Sequence, residues 1–384
     1  MTGCYSNNAL TNSHYSKRLL RRSAYWSVAD DILTTLYDGD AMFRTLSMLV
    51  IGLIAIIAIP LIWGGSGMLP QLRQFPLHLL IVMIGMIFVC WYLNAAKLRV
   101  LLAGRSGHLS RLQSMGVIMA VEFAICATPG GAGGYLTLIA IMKQRGLRPA
   151  ETTAVFAVDQ MIDMVFFFVS MLLVGAYAIM SAIELPSMKI LTVPLLLMAG
   201  ALSALIYAGC HHQRMLHHIA GFLKLCHVSA PRRRSWMKRL FVFRNALRIT
   251  LQMPKHLLLQ AFLFGVMHWL VRYTVLYLAL YGLGHEVNWG YTYLVQMVSM
   301  AAGQITLLPG GAGGAEFTSM FMLSRFVDHD TAAVAILIWR LVTYHFYLIA
   351  GIPAFLLLAG RPLLYTLFKI RKKDVEALKH ENKL

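Results

Sequence analysis

Acidic side chains are scarce: there are 16 Asp and Glu against 34 Lys and Arg in 384 residues. Charged residues of both signs make up 13% of the chain, where a soluble globular domain carries about 25%. So few charges cannot coat a water-facing surface, and the 58% hydrophobic content gives a mean hydropathy of +0.65. The composition excludes an ordinary soluble enzyme and predicts an integral membrane protein. Cysteine is also sparse. Cys4, Cys90, Cys126, Cys210 and Cys226 are odd in number and form no Cys-x-x-Cys pair, which argues against a disulfide framework or a zinc ribbon. No long apolar run precedes residue 46, so a cleaved signal peptide is not expected. No nucleophile–base pair, phosphate-loop lysine or zinc-protease motif is present, and the expectation is of no enzyme and no cofactor.

What the chain has is apolar length. Spans of about 20 residues, the length needed to cross a bilayer as a helix, are predicted at 46–63, 77–93, 153–180, 190–209, 257–281 and 331–359. Two further apolar stretches, 112–142 and 291–326, are each interrupted by the same six residues, Pro-Gly-Gly-Ala-Gly-Gly. Lys and Arg cluster before 46, at 97–111, at 143–148, across 214–255 and after 361, whereas 64–76, 183–189, 282–290 and 325–330 are poor in them. Placing the basic loops in the cytoplasm makes 112–142 start and end inside and 291–326 start and end outside. Each stretch then reads as a re-entrant hairpin, and the two enter from opposite sides. The formal net charge of +18 is accordingly read as positive-inside loops, with no nucleic-acid partner expected.

The two hairpins lie about 180 residues apart, and Glu151-Thr-Thr-Ala-Val after the first answers Asp330-Thr-Ala-Ala-Val after the second. The reading is an all-α polytopic membrane protein: an inverted repeat of helix, re-entrant hairpin and helix, with six spans and two hairpins. Its parts are a cytoplasmic segment 1–45 (with the Lys-Arg-Leu-Leu-Arg-Arg cluster at 17–22), a first membrane half 46–209, a basic connector 210–256, a second half 257–360 and a basic cytoplasmic tail 361–384. Within the connector, Trp236, Leu240, Phe243, Leu247 and Leu251 recur at helical spacing among basic residues. That pattern fits a helix in the headgroup layer bound to anionic lipids, or else a solvated positive loop. The expected location is the inner cell membrane with both termini cytoplasmic, and a homo-oligomer is compatible with the pattern.

Irregular backbone at membrane depth survives only where protein buries it or where it lines a cavity. The hexapeptides, Pro129, Gly130, Gly131, Gly133 and Gly134, and Pro309, Gly310, Gly311, Gly313 and Gly314, are therefore candidate binding elements. Each would end one helix and start another, offering unpaired amides to an anion. The alternative is that the glycines only let helices pack closely. Ionisable residues in spans mark partners or cavities. Asp159 and Asp163 share a helix face, Glu122 and Glu316 flank the hairpins, and Arg272 and Arg340 lie in spans of the second half. Arg340, with Arg272, is expected to hold a lipid phosphate. The four carboxylates are expected to position the arginines or exchange protons, or alternatively to form structural ion pairs. His211, His212, His217 and His218 beside Cys210 lack matching carboxylates, so no metal site is expected; His268 and His345 are read as packed polar residues.

At these residues the chain resembles the lysylphosphatidylglycerol synthase transmembrane-region family, also called flippase-like or YbhN-like membrane proteins. The resemblance covers roughly 77–359. It rests on the basic stretch 97–102, the first hairpin with Asp159 and Asp163 after it, and the second hairpin with Pro309, Gly310, Gly311, Gly313 and Glu316. Trp339, Arg340 and Tyr344 complete it. The chain differs in having Gln160 where an arginine is common, and Gly134 and Tyr135 where an acid is common. The resemblance implies movement of a lipid between leaflets, with Tyr344 joining the substrate-binding residues. Only 361–384 follows the last predicted span, so no soluble aminoacyl-transfer domain is expected. The competing expectations are a transferase acting on a lipid carrier through Glu122 or Asp159, and a scaffold for a lipid-modifying enzyme.

Overall fold

The computed structural model describes residues 39–180, apart from 64, 66, 104 and 106–108, and residues 230–360, with isolated positions between 195 and 207. All regular structure among them is helical. The chain divides into Met1–Ile51 and Gly52–Leu384, and the description below concerns the second unit. The helix α1, Gly39–Trp63, crosses that division and contributes the apolar stretch Gly52–Ile62. The short α2, Met68–Gln74, leads into α3, Leu77–Leu102.

Four helical segments are long and apolar enough to cross a membrane: Leu77–Leu102, Pro149–Tyr177, Lys255–Gly282 and His329–Ala359. They account for four of the six expected spans. The expected span at 46–63 falls on α1, whose apolar part is shorter; the one at 190–209 lies mostly outside the described residues, and the histidine cluster at 211–218 lies wholly outside them.

Both glycine stretches form helix–turn–helix units whose arms pack on each other. In the first, α4 (Arg111–Ala127) and α5 (Ala132–Gln144) flank a single 3-10 turn at Pro129–Gly131. The start of α4 is fixed by a reciprocal cap. Ser110 Oγ accepts from the Gln113 amide at 3.2 Å, while Gln113 Oε1 accepts from the Ser110 amide at 3.3 Å. In the second, α10 (Trp289–Thr306) and α11 (Gly314–Leu323) flank a 3-10 turn at Pro309–Gly311. The turns repeat in conformation as well as in sequence: Gly130, Gly131, Gly310 and Gly311 have φ of 59°, 72°, 65° and 68°, a region that L side chains rarely adopt.

The remaining helices are α6 (Pro149–Met180), α7 (Ala230–Leu251), α8 (Lys255–Tyr273), α9 (Val275–Gly282), α12 (His329–Arg340) and α13 (Phe346–Phe355). A π-helical turn, Leu341–His345, joins the last two. Packing crosses between the expected halves: α8 lies along α3, α13 along α4, and α10 touches α6. The helix α7, which falls within the expected basic connector, packs on α6.

One sequence expectation is corrected. Lys97 was grouped with a basic loop beginning where the span ended at 93. Instead α3 runs on to Leu102, and Lys97 is buried inside the bundle at 3% exposure. A hydropathy cut stops at the first polar residues, Asn94 and Lys97. The helix does not stop: Asn94 Nδ2 and Lys97 Nζ both find carboxylate partners on neighbouring helices.

Candidate functional site

The two glycine turns touch each other, although 180 residues separate them. A side chain added at Gly130 would meet Leu307 Cδ2 at 3.8 Å. Tyr344, on the π-helical turn, bridges them. Its hydroxyl donates to the Cys126 carbonyl at 3.2 Å, at the end of α4, and its ring lies directly over Gly310. Within the second unit, Gly303 and Gly311 bring α10 and the turn into backbone contact; a Cβ at Gly303 would sit 2.8 Å from the Gly311 carbonyl oxygen. The glycines serve two structural purposes. They permit the left-handed turns and they permit close approach.

At this junction lies a cavity of about 70 Å³. One water needs roughly 10–15 Å³ on a comparable measure, so the space takes several waters or one small polar group. Its walls include Gly130, Gly131, Gly310 and Gly311, together with Glu122, Arg272, Arg340, Thr343 and Tyr344. Pro129, Gly133, Gly134, Pro309, Gly313, Gly314, Asp159, Asp163 and Glu316 are not among its lining residues.

Arg340 is 2% exposed and its partners come from the hairpin itself. Nε lies 2.6 Å from Oε1 of Glu316, which is wholly buried, and Nη1 donates to the Gly310 carbonyl at 3.1 Å. The guanidinium carbon stands 4.8 Å from the Trp339 ring centroid. Nη2 is buried without a hydrogen-bond partner. A buried charged donor left unpaired costs more than the roughly 1–3 kcal/mol of a neutral one.

Arg272 reaches the same cavity from α8. Its Nη1 donates to the Tyr347 hydroxyl at 3.0 Å, and its guanidinium lies 4.7 Å from that ring's centroid. Glu122 Oε2 is 3.8 Å away, and Glu122 also accepts from Asn94 Nδ2 at 3.1 Å.

One amide at each helix start is already engaged by a side chain. The Gly133 amide donates to Thr128 Oγ1 at 2.8 Å, and the Gly313 amide to Glu316 Oε2 at 2.7 Å. Glu316 thus caps α11 and pairs Arg340 at once. Positive charge at the cavity comes chiefly from the two arginines.

A second charged cluster lies one turn further along α3. Lys97 Nζ is 2.8 Å from Asp159 Oδ1 and 2.9 Å from Asp163 Oδ1. The spacing of the two acids placed them on one face of α6, as observed; their partner was missed for the reason given above. The helix α8 comes closest to the cluster at Gly265, where a Cβ would make ordinary contacts 3.5 Å from Asp163 Oδ1 and 3.6 Å from Lys97 Cδ. His268 and His345 are packed polar residues: their Nδ1 atoms lie 3.1 Å from the carbonyl oxygens of Cys90 and Arg340 respectively. Among the described residues no three His, Cys, Asp or Glu group as metal ligands.

The chain matches the family of the lysylphosphatidylglycerol synthase TM region over residues 46–351, and it belongs to that family. It is also similar to a UPF0104 membrane protein of Archaeoglobus fulgidus, with 23% identity over 264 residues, covering 66% of this chain and 79% of that protein.

Proposed function

We propose that this member of the lysylphosphatidylglycerol synthase TM region family moves a lipid with an anionic, phosphate-containing headgroup between membrane leaflets. One observation carries the proposal: two broken helical hairpins meet at a cavity whose wall holds Arg272 and Arg340, the latter with a buried donor left over. A planar guanidinium fork matches phosphate oxygens. Glu316 and the Gly310 carbonyl take Nε and Nη1, so Nη2 is the group left to receive a headgroup oxygen. Arg272 and Tyr344 border the same space. The cavity is too small for a whole lipid, so acyl chains stay in the bilayer while the headgroup passes the hairpin junction.

The same reading makes the two hairpins re-entrant, entering from opposite sides as an inverted repeat in the inner membrane, with Lys- and Arg-rich segments in the cytoplasm. The recurrence of one turn conformation in both hairpins supports it. So does the paired packing of α13 on α4 and of α10 on α6.

The test is a leaflet assay on the purified full chain in liposomes, with labelled phosphatidylglycerol, phosphatidylethanolamine and a polyprenyl phosphate. Transfer of at least one of them, lost in Arg340→Lys, is the expected result. A change in lipid mass instead of leaflet would replace transport by transferase chemistry. If every lipid stays put, translocation is wrong.

A further inference from the structure

Seven charged side chains form ion pairs inside the bundle among the described residues. The cations are Lys97, Arg272 and Arg340; the carboxylates are Glu122, Asp159, Asp163 and Glu316. Three positive groups against four negative ones leave one carboxylate in excess. The excess sits at Lys97, where one ammonium serves two acids within 3 Å of it. Unbalanced charge at membrane depth is expensive. A phosphate arriving at Arg340 and Arg272 adds a second negative charge to the same network. The two regions are linked: Asn94, one turn before Lys97 on α3, donates to Glu122, and Glu122 pairs with Arg272 on the cavity wall.

We infer that the Lys97–Asp159–Asp163 cluster is a proton-binding site, loaded as an anionic headgroup enters the cavity; the inference rests on the lipid-translocating reading above. The step is simple. One carboxylate of the pair accepts a proton from water and becomes a carboxylic acid, while Lys97 remains an ammonium opposite the other. Charge inside the bundle then changes by zero when the phosphate binds. Asp159 and Asp163 are 25% and 15% exposed against 3% for Lys97, so the acids are the reachable part of the cluster. A hard metal cation fits poorly, since it requires about six or more oxygen ligands and would compete with an ammonium already in place.

Lys97 from α3 pairs with both acids; Glu122 from α4 acts on Asp159, and Trp269 and Tyr273 from α8 neighbour Asp163, while His268 and Arg272 of α8 act on Lys97 and Glu122 respectively. His268 is occupied by the Cys90 carbonyl. Tyr135 of α5 and Tyr293 of α10 meet α6 elsewhere, at Thr153 and Ser170. The helix α7 brings Arg244, which sits over Phe241, and Arg248.

The experiment titrates the purified full chain with dihexanoyl phosphatidylglycerol, and with dihexanoyl phosphatidylcholine, whose headgroup has no net charge, across a pH series. Phosphatidylglycerol affinity should fall by up to about tenfold per pH unit above the transition. In weak buffer an indicator dye should record about one proton taken up per lipid bound. Phosphatidylcholine should show neither effect. Asp163→Asn should flatten the slope, and Asp159→Asn serves as the second variant should the first not fold. A pH-independent affinity, an equal slope for both lipids, or no binding of either lipid at any pH overturns the proton site. Leaflet transfer is measured separately in liposomes. Binding with proton uptake but no transfer would leave the site standing and remove the translocation reading. Transfer combined with pH-independent binding would do the reverse.

Discussion

Arg340 holds Glu316 and reaches the cavity with the same guanidinium, and these two duties separate on mutation. Arg340→Ala strands a wholly buried carboxylate, which should cost on the order of 3–5 kcal/mol. Adding Glu316→Gln should recover most of the lost melting temperature without restoring lipid binding. If the double mutant regains both, Arg340 is structural only. Arg340→Lys keeps the charge but not the fork, so it should spare stability better than it spares binding. Lys97→Met is the matching test on the other cluster: it leaves Asp159 and Asp163 facing each other without a counter-charge. It should lower thermal stability sharply, and Asp163→Asn in the same chain should offset the loss. An unchanged melting temperature in Lys97→Met would show that water already balances the acids. From sequence, Asp159, Asp163, Glu316 and Arg340 were visible because a charge in an apolar run stands out. Their pairing was not visible, since Glu316 and Lys97 join their partners across helices. Lys97 in particular sat where charge normally means loop.

Among the elements, the two turns share a sequence but differ in crowding. A Cβ at Gly310 runs into the Tyr344 ring, whereas one at Gly131 meets only Ile125 Cγ2 at 3.3 Å. The left-handed backbone alone costs a non-glycine residue roughly 1–2 kcal/mol at either site. Gly310→Ala should therefore destabilise clearly more than Gly131→Ala in a thermal melt, and equal losses would mean that the Tyr344 ring moves aside freely. The cap at the start of α12 gives a pH-dependent case. Burial alone would raise the Asp328 carboxyl, but the Thr331 hydroxyl and amide donate to it and hold it below the ordinary range. Its contribution is then full above the unfolded value near 3.8 and is lost as pH falls through the lower folded value. Asp328→Ala should cost about 1 kcal/mol at neutral pH, with the difference from wild type shrinking in acid. Turn positions were legible in the hexapeptide because proline and glycine punctuate any helix. The π-helical turn at Leu341–His345 was not, because nothing in Leu-Val-Thr-Tyr-His departs from an ordinary helical run.

For the molecule as a whole, composition was enough to read a helical membrane protein, and four long apolar segments bear that out. The way the segments interleave was beyond composition. The helix α13 packs on α4 and α8 on α3, through contacts between residues more than 150 positions apart. A long-range latch adds to this: the Asp330 carboxylate accepts from the amides of Gly65 and Gly67, joining the segment before α2 to the start of α12. Both ends of that latch should face the same compartment, opposite to 143–150. Cysteine-accessibility labelling of single-cysteine variants at 65 and at 145 tests this. Labelling of both from one side would contradict the re-entrant arrangement of the first hairpin.

The contact of Tyr344 with the Cys126 carbonyl gives the resting protein a chemical clock. Cys126 is 5% exposed and lines the cavity where the two hairpins touch. In a chain whose other four cysteines are replaced by serine, maleimide can reach that thiol only while the hairpins stand apart. The alkylation rate then counts openings directly, with no engineered label, and any lipid that drives the cycle should quicken it.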